Sequence, residues 1–169
     1  MVRQGYVTSE PFAVERAGGF APNVFLLADH GFDGYSTTIE VNRALIDEEP
    51  ELVDCLVNAS IEGWYSYLYG DPQAAHFLIQ SDNPDISIEL LEHARAAMIE
   101  HGIVDSGLTE TAGIGAIDPE RFTAFYAAMH EAGIIEEEID PSTAFDARFV
   151  NQGHGLELRD RLRAEAEAN

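Results

Sequence analysis

The apolar positions follow two different patterns along the chain, and the pattern changes near Asn42. Before that residue, short apolar runs alternate with turn residues, and continuous apolar runs of strand length are typical of strands buried on both faces of a sheet. We predict three short strands, at about residues 4–8, 24–28 and 37–41. After Asn42 the apolar residues recur at helical spacing. The predicted fold class is therefore α/β, with three strands followed mainly by helices.

Local helix signals give several boundaries. Pro11 suits the first turn of a helix that begins at Ser9 or Glu10, and Gly18–Gly19 can end it. The longest helix is predicted from Pro50 to about Tyr69, and its apolar stripe is Val53, Leu56, Val57, Ser60, Ile61, Trp64 and Leu68.

Further along the chain, Ser87 and Asp118 are predicted N-caps, and Gly102 and Gly133 are predicted left-handed helix ends. Cys55 is predicted to be a buried small apolar residue. The segment from Leu156 is rich in Arg, Glu and Ala, so we expect a surface helix or a frayed end there.

The order of these elements is awkward for a complete domain. Three strands in the first quarter of the chain leave a small sheet with exposed edges and with faces that the later helices would not cover. This order is more typical of part of a larger protein.

Length and composition place the chain among globular proteins. It has 169 residues, of which 46% are apolar and 24% charged, and these fractions exclude disordered and collagen-like classes. No apolar stretch is long enough to span a membrane. The first residues, Met-Val-Arg-Gln-Gly-Tyr, contain no apolar segment of an export signal, so we expect none in this chain.

The net charge narrows the range of partners. The formal charge is −22, and all nine basic residues are Arg. A field of this sign repels phosphate backbones and anionic lipids, so we expect neither nucleic-acid partners nor membrane insertion. Strong acidity also keeps proteins of salty habitats soluble, which leads to the hypothesis of a halophilic source. The alternative is an acidic protein encoded by a GC-rich genome, and the sequence leaves both open.

Most candidate motifs for chemistry are incomplete. The six His residues show neither an i, i+4 pair nor a zinc-protease spacing, so no metal site is predicted. The single Cys excludes an intrachain disulfide. The run Gly113-Ile114-Gly115 lacks the third glycine of a dinucleotide-binding fingerprint, because Asp118 occupies that position. No cofactor is predicted.

The segment at residues 4–12, QGYVTSEPF, is the most informative. Ligands of open α/β sheets bind at the carboxyl edge of the strands. A strand at residues 4–8 that turns directly into a helix would place Tyr6, Thr8, Ser9 and Glu10 at that edge. The alternative interpretation is a capped helix with nothing bound.

An ordered set of segments resembles the solute-binding proteins of ABC importers, specifically the NMT1/THI5-like group, which includes binding proteins for nitrate, sulfonates, taurine and thiamine-pyrimidine precursors. The resemblance begins with residues 4–12 and extends to about Gly155, so it covers nearly the whole chain. Its other segments are VFLLA at 24–28, YSTTIEVN at 35–42, EPELV at 49–53, EGWY at 62–65, YGD at 69–71, GIVDSG at 102–107 and RFVN at 148–151.

This resemblance implies that the chain is the C-terminal part of a type II periplasmic-binding-protein fold, whose two lobes enclose a ligand cleft. By this resemblance, residues 1–28 would end the second lobe and residues 29–41 would cross to the first lobe. Residues 42–155 would form the helical remainder of the first lobe and the C-terminal wrap, and residues 156–169 a polar tail. A full-length parent would be exported, in the periplasm or anchored outside the membrane, and would serve an ABC permease and ATPase.

The resemblance implies a binding function, with Tyr6, Thr8, Ser9 and Glu10 as ligand residues and Tyr35 and Trp64 as further candidates. Glu10 at a helix N-terminus opposes a second negative charge, so a solute with N–H donors, such as an aminopyrimidine, is favoured over an anion. The alternatives are an acidic helical interaction module and a gene remnant that binds nothing. An enzyme that makes the thiamine pyrimidine is disfavoured, because the Cys-rich segment of that branch is missing.

Overall fold

The chain is a helical protein in the computed structural model, which describes residues 2–168. This part of the chain forms eight α-helices and three short 3-10 helices. The α-helices are α1 (Glu10–Gly18), α2 (Arg43–Glu48), α3 (Pro50–Tyr69), α4 (Gln73–Asp82), α5 (Ile88–Glu100), α6 (Thr109–Ala112), α7 (Pro119–Glu131) and α8 (Leu156–Glu167). The 3-10 helices are Leu27–His30, Pro141–Thr143 and Ala147–Phe149.

The predicted sheet is absent from residues 2–168, so the predicted α/β class and its three strands are wrong. Residues 4–8 lead into a turn, in which the carbonyl of Tyr6 accepts hydrogen bonds from the N–H groups of Ser9 and Glu10, each at 3.1 Å. Residues 24–28 run into the 3-10 helix Leu27–His30, and residues 37–41 form neither helix nor strand. The sheet of a type II periplasmic-binding protein is therefore not present in this part of the chain.

The physical reason is that a strand requires a partner. The apolar runs do contain extended backbone, as at Leu26, with φ −80° and ψ 130°. They are not paired with one another, however, and Phe25 remains 79% exposed. Apolar composition predicts where a strand can form, whereas backbone hydrogen bonds from a second segment decide whether it does.

The helix boundaries, by contrast, were predictable. Helix α3 has the predicted bounds, and the side chain of Ser87 caps α5 by accepting the N–H of Leu90 at 3.2 Å. The side chain of Asp118 caps α7 in the same way, through the N–H of Glu120 at 2.8 Å. Gly102 and Gly133 have left-handed φ values of 58° and 69°, as predicted for two helix ends.

The hydrophobic core is centred on one face of α3. Its buried residues are Val53, Val57, Ile61, Tyr65 and Leu68 of α3 together with Ile114. The predicted stripe was partly wrong, because Leu56 is 53% and Trp64 36% exposed. Tyr65, which the predicted stripe left out, is fully buried instead. The exposed thiol of Cys55 also corrects the prediction that this residue is buried.

Helix α8 is an integral part of the core, although its sequence is polar. It packs along α3, and Leu156, Leu158 and Leu162 lie against the core. Arg159 is buried, and its Nη1 donates a hydrogen bond to the carbonyl of Glu110 at 2.9 Å. The polar residues of α8 therefore include one that joins it to α6.

Helices α1 and α7 contribute no residue to this core. Helix α1 contacts α5 through the rings of Phe12 and His93, whose centroids are 4.9 Å apart, and through an Arg16–Glu89 ion pair. Helix α7 packs against the 3-10 helix Pro141–Thr143. Within the described residues, no helix combines the length and apolar character needed to cross a lipid bilayer, and no group of three or more His, Cys, Asp or Glu is arranged to hold a metal ion.

Candidate functional site

The turn before α1 brings three of the predicted ligand residues together. The Oε2 atom of Glu10 accepts a hydrogen bond from the backbone N–H of Tyr6 at 2.7 Å and another from the Oγ of Ser9 at 2.6 Å. The side chain thus folds back over the turn that starts its own helix. Thr8 lies in the same turn and is partly buried.

These contacts favour the ionised form of Glu10. Its pKa lies below the ordinary value of 4.5, mainly because the Ser9 hydroxyl donates to the carboxylate and secondarily because the Tyr6 N–H does. The charge of Arg3 also lowers this pKa. An ionised carboxylate only accepts hydrogen bonds, so at neutral pH this cluster presents a fixed acceptor with a negative charge.

Gly5 provides the space in which the Glu10 side chain lies. A Cβ atom added to Gly5 would lie 2.6 Å from the Cδ and 2.7 Å from the Cβ of Glu10. Gly5 is not one of the glycines with a left-handed φ, so close approach, and not backbone conformation, requires glycine here. Any larger residue would push the carboxylate away from the Tyr6 N–H.

The aromatic ring of Tyr6 is accessible. This side chain is 72% exposed, although its backbone is engaged in the turn. Aromatic faces stack on other flat rings in an offset or edge-to-face arrangement. The cluster therefore combines an exposed flat ring with a fixed carboxylate a few residues away.

The structure places Tyr35 and Trp64 on other elements. The hydroxyl oxygen of Tyr35 accepts the backbone N–H of Asp118 at 2.8 Å, at the start of α7. Trp64 lies on α3, where its ring meets that of Tyr67 edge-on at 6.1 Å between centroids. These two side chains thus contact the start of α7 and a neighbouring ring of α3, away from the Tyr6–Glu10 turn.

A buried polar network around Asp105 has no counterpart in the motifs of the sequence. The side chain of Asp105 is only 1% exposed, and its Oδ2 accepts the hydroxyl of Tyr69 at 2.8 Å and the Nη2 of Arg163 at 3.1 Å. Its Oδ1 accepts the hydroxyl of Thr109 at 2.9 Å. Burial raises the pKa of Tyr69. No helical period connects residues 69, 105 and 163, so spacing in the sequence carries no signal for this network.

Comparison with known proteins confirms the resemblance seen in the sequence. Residues 2–75 match the family model described as NMT1/THI5 like. The chain is also 32% identical, over 150 residues, to the riboflavin-binding protein RibY of Chloroflexus aurantiacus. That alignment covers 88% of this chain and 42% of RibY, so the chain spans less than half the length of this relative. No solved structure matches the chain.

The NMT1/THI5-like segment contains every candidate ligand residue. Tyr6, Thr8, Ser9, Glu10, Tyr35 and Trp64 all lie within residues 2–75. The core residues of α3 lie there as well, whereas α5, α7 and α8 follow it. The family match thus includes the Tyr6–Glu10 turn together with the helix that organises the core.

Proposed function

We propose that this chain is part of the substrate-binding component of an ABC importer, and that its Tyr6–Glu10 turn forms part of the wall that contacts the solute. The observation that carries this proposal is the position of Glu10. Its carboxylate is held by the backbone of Tyr6 and the hydroxyl of Ser9, four residues after the exposed ring of Tyr6, within the segment that matches the NMT1/THI5-like family.

The proposed solute is a flat nitrogen heteroaromatic that carries an N–H donor, such as an aminopyrimidine. Both hydrogen bonds to Glu10 end on Oε2, and Oε1 can accept an N–H from the solute in a charge-assisted bond. The ring of Tyr6 can stack on the solute. A second anion, such as nitrate or a sulfonate, would be repelled by the same carboxylate.

The relative RibY supports this class of solute. Its name gives riboflavin as the ligand, and riboflavin contains a pyrimidine ring whose N–H lies between two carbonyl groups. An aminopyrimidine and riboflavin thus both offer an acidic residue an N–H donor on a flat pyrimidine-type ring, from an exocyclic amine in the first and from a ring imide in the second. The two compounds are the natural probes for the proposed site.

The complete protein is proposed to be longer than this chain. The 42% share of RibY that is covered supports this. In the longer protein, a second lobe would close over the solute, and an ABC permease and ATPase would receive it outside the cytoplasmic membrane. Ligand pockets bury most of the ligand surface, so these 169 residues alone are expected to bind the solute weakly.

The test is calorimetric titration of the longer protein with four compounds. Riboflavin and 4-amino-5-hydroxymethyl-2-methylpyrimidine represent the proposed class, and taurine and nitrate represent the anions. We expect micromolar or tighter binding of at least one heteroaromatic and no binding of the anions. Tight binding of taurine or nitrate, with no binding of either heteroaromatic, would refute the proposed solute class.

A further inference from the structure

A strap of three consecutive residues, Asp33, Gly34 and Tyr35, packs against α7. Arg121 of α7 donates from Nε to the backbone carbonyl of Asp33 at 3.0 Å and from Nη2 to its Oδ1 at 2.6 Å. The same guanidinium lies 4.4 Å from the centroid of the Tyr35 ring. One side chain of α7 thus holds both ends of the strap.

The strap fits closely against α7. A Cβ atom on Gly34 would lie 2.7 Å from two ring atoms of Phe125, so glycine permits the backbone to approach that ring. The ring of Tyr35 stacks on Phe122, with centroids 6.4 Å apart and planes inclined by 25°. Its hydroxyl oxygen accepts the N–H of Asp118, which would otherwise be one of the unpaired donors near the start of a helix.

These contacts lie outside the core built on α3. The buried core cluster consists of α3 residues and Ile114, whereas α7 has no fully buried residue. The ion pair between Arg121 and Asp33 is partly exposed on both sides, and solvent weakens such pairs. Segments held mainly by exposed contacts open locally, at a lower free energy than the core.

We propose that the strap detaches from α7 without unfolding the α3 core. Arg121 is the positioning residue that holds Tyr35 on α7 until it does. The strap connects the residues before α2 to a helix more than 80 positions later in the chain. Its role in binding rests on the proposed function: in a two-lobed protein, residues 29–41 would cross between lobes, and a strap fixed on α7 would leave the bending to residues 36–41. Those residues have no helix or strand.

The test is hydrogen–deuterium exchange, measured by mass spectrometry on this chain. In Arg121→Met the guanidinium is lost and most of the side-chain volume is kept, and in Tyr35→Phe the acceptor for the Asp118 N–H is lost and the ring is kept. Arg161→Met, at an exposed position of α8, is the matched control for charge. The amide that reports on the strap is that of Asp118, which donates to the Tyr35 hydroxyl oxygen. We expect at least a tenfold faster exchange in the peptide covering residues 117–122 in both variants and no change in the control.

Two results would overturn the proposal that the strap detaches separately. Unchanged exchange of residues 117–122 in Arg121→Met would show that Arg121 does not hold Tyr35 against α7. An equal increase in peptides from α3 would show that the strap is not a separate unit. The exchange experiment contains no solute, so its outcome does not depend on whether the proposed solute binds. The calorimetric titration in turn does not depend on whether the strap detaches.

Discussion

Glu10 accepts the backbone N–H of Tyr6, four residues earlier in the chain, at 2.7 Å. The bond runs back from the first residue of α1 to the turn before it, and the hydroxyl of Ser9 joins it on the same oxygen. A carboxylate in the first turn also interacts favourably with the helix dipole. The candidate ligand group is therefore held in place by its own helix start.

The first prediction concerns the space beside Glu10. In Gly5→Ala, the new methyl group occupies the volume of the Glu10 side chain and displaces the carboxylate from the Tyr6 N–H. We expect the pKa of Glu10 to rise towards its ordinary value, as measured by NMR titration of the side-chain carboxyl carbon. Gly63→Ala is the matched control, because a Cβ there meets nothing within 4 Å. A Glu10 pKa that is unchanged in Gly5→Ala would contradict the packing described here.

The second prediction concerns pH. The folded pKa of Glu10 is lowered, mainly by Ser9 and then by Tyr6, so the ionised carboxylate stabilises the turn above the ordinary pKa of 4.5. This stabilisation is lost as the pH falls through the lowered folded value. We expect the amide of Tyr6 to lose protection from exchange in that acidic range and to keep it at neutral pH. In Glu10→Gln this pH dependence should be absent, and its persistence would show that another group is responsible.

The third prediction tests the centre of the core. The hydroxyl oxygen of Tyr65 accepts the N–H of Ile114 at 3.1 Å, and Tyr65 is fully buried. In Tyr65→Phe the ring remains but the N–H loses its acceptor, which costs about 1–3 kcal/mol when a buried donor is left unpaired. Urea denaturation should show this loss of stability. The control, Tyr6→Phe, alters an exposed hydroxyl and should change stability by less than about 0.5 kcal/mol; equal effects in the two variants would contradict the assignment of the core.

The fourth prediction concerns salt. Repulsion among the charges that give a net −22 destabilises the compact state, and salt screens this repulsion. If the surface is adapted to a saline habitat, the melting temperature should rise steadily from low to multimolar KCl. Differential scanning calorimetry measures this change. A melting temperature that stays flat across that range would favour the alternative of an acidic protein from a GC-rich genome.

The sequence predicted the helices better than the strands for a physical reason. A cap such as Ser87 or Asp118 bonds within its own helix turn, so its signal is local. The apolar runs at 24–28 and 37–41 needed partner strands, which local sequence cannot supply, and the described residues provide none. Trp64 and Tyr65 show the same limit on a finer scale, because the elements that pack on α3, foremost α8, decide which face of that helix is covered.

The candidate site was predicted in part. The segment 4–12 pointed to Tyr6, Ser9 and Glu10, and the structure joins these residues by hydrogen bonds, although in a turn and not at the edge of a sheet. Their role in binding stays a prediction. The contact of Tyr35 with α7 spans 83 positions, and the sequence offered no pattern that would have revealed it.

The most direct measurement compares Glu10→Gln with Glu15→Gln in the longer protein. Both variants remove one negative charge from α1, but Glu15 is exposed, and only Glu10 lies in the proposed solute site. A hydrogen bond to a charged group contributes about 1.5–3 kcal/mol, so the affinity for the heteroaromatic that binds, measured by calorimetry, should fall about 10- to 100-fold in Glu10→Gln. It should remain within about twofold of the parent in Glu15→Gln. Equal affinities in the parent and in Glu10→Gln would contradict the proposed role of Glu10.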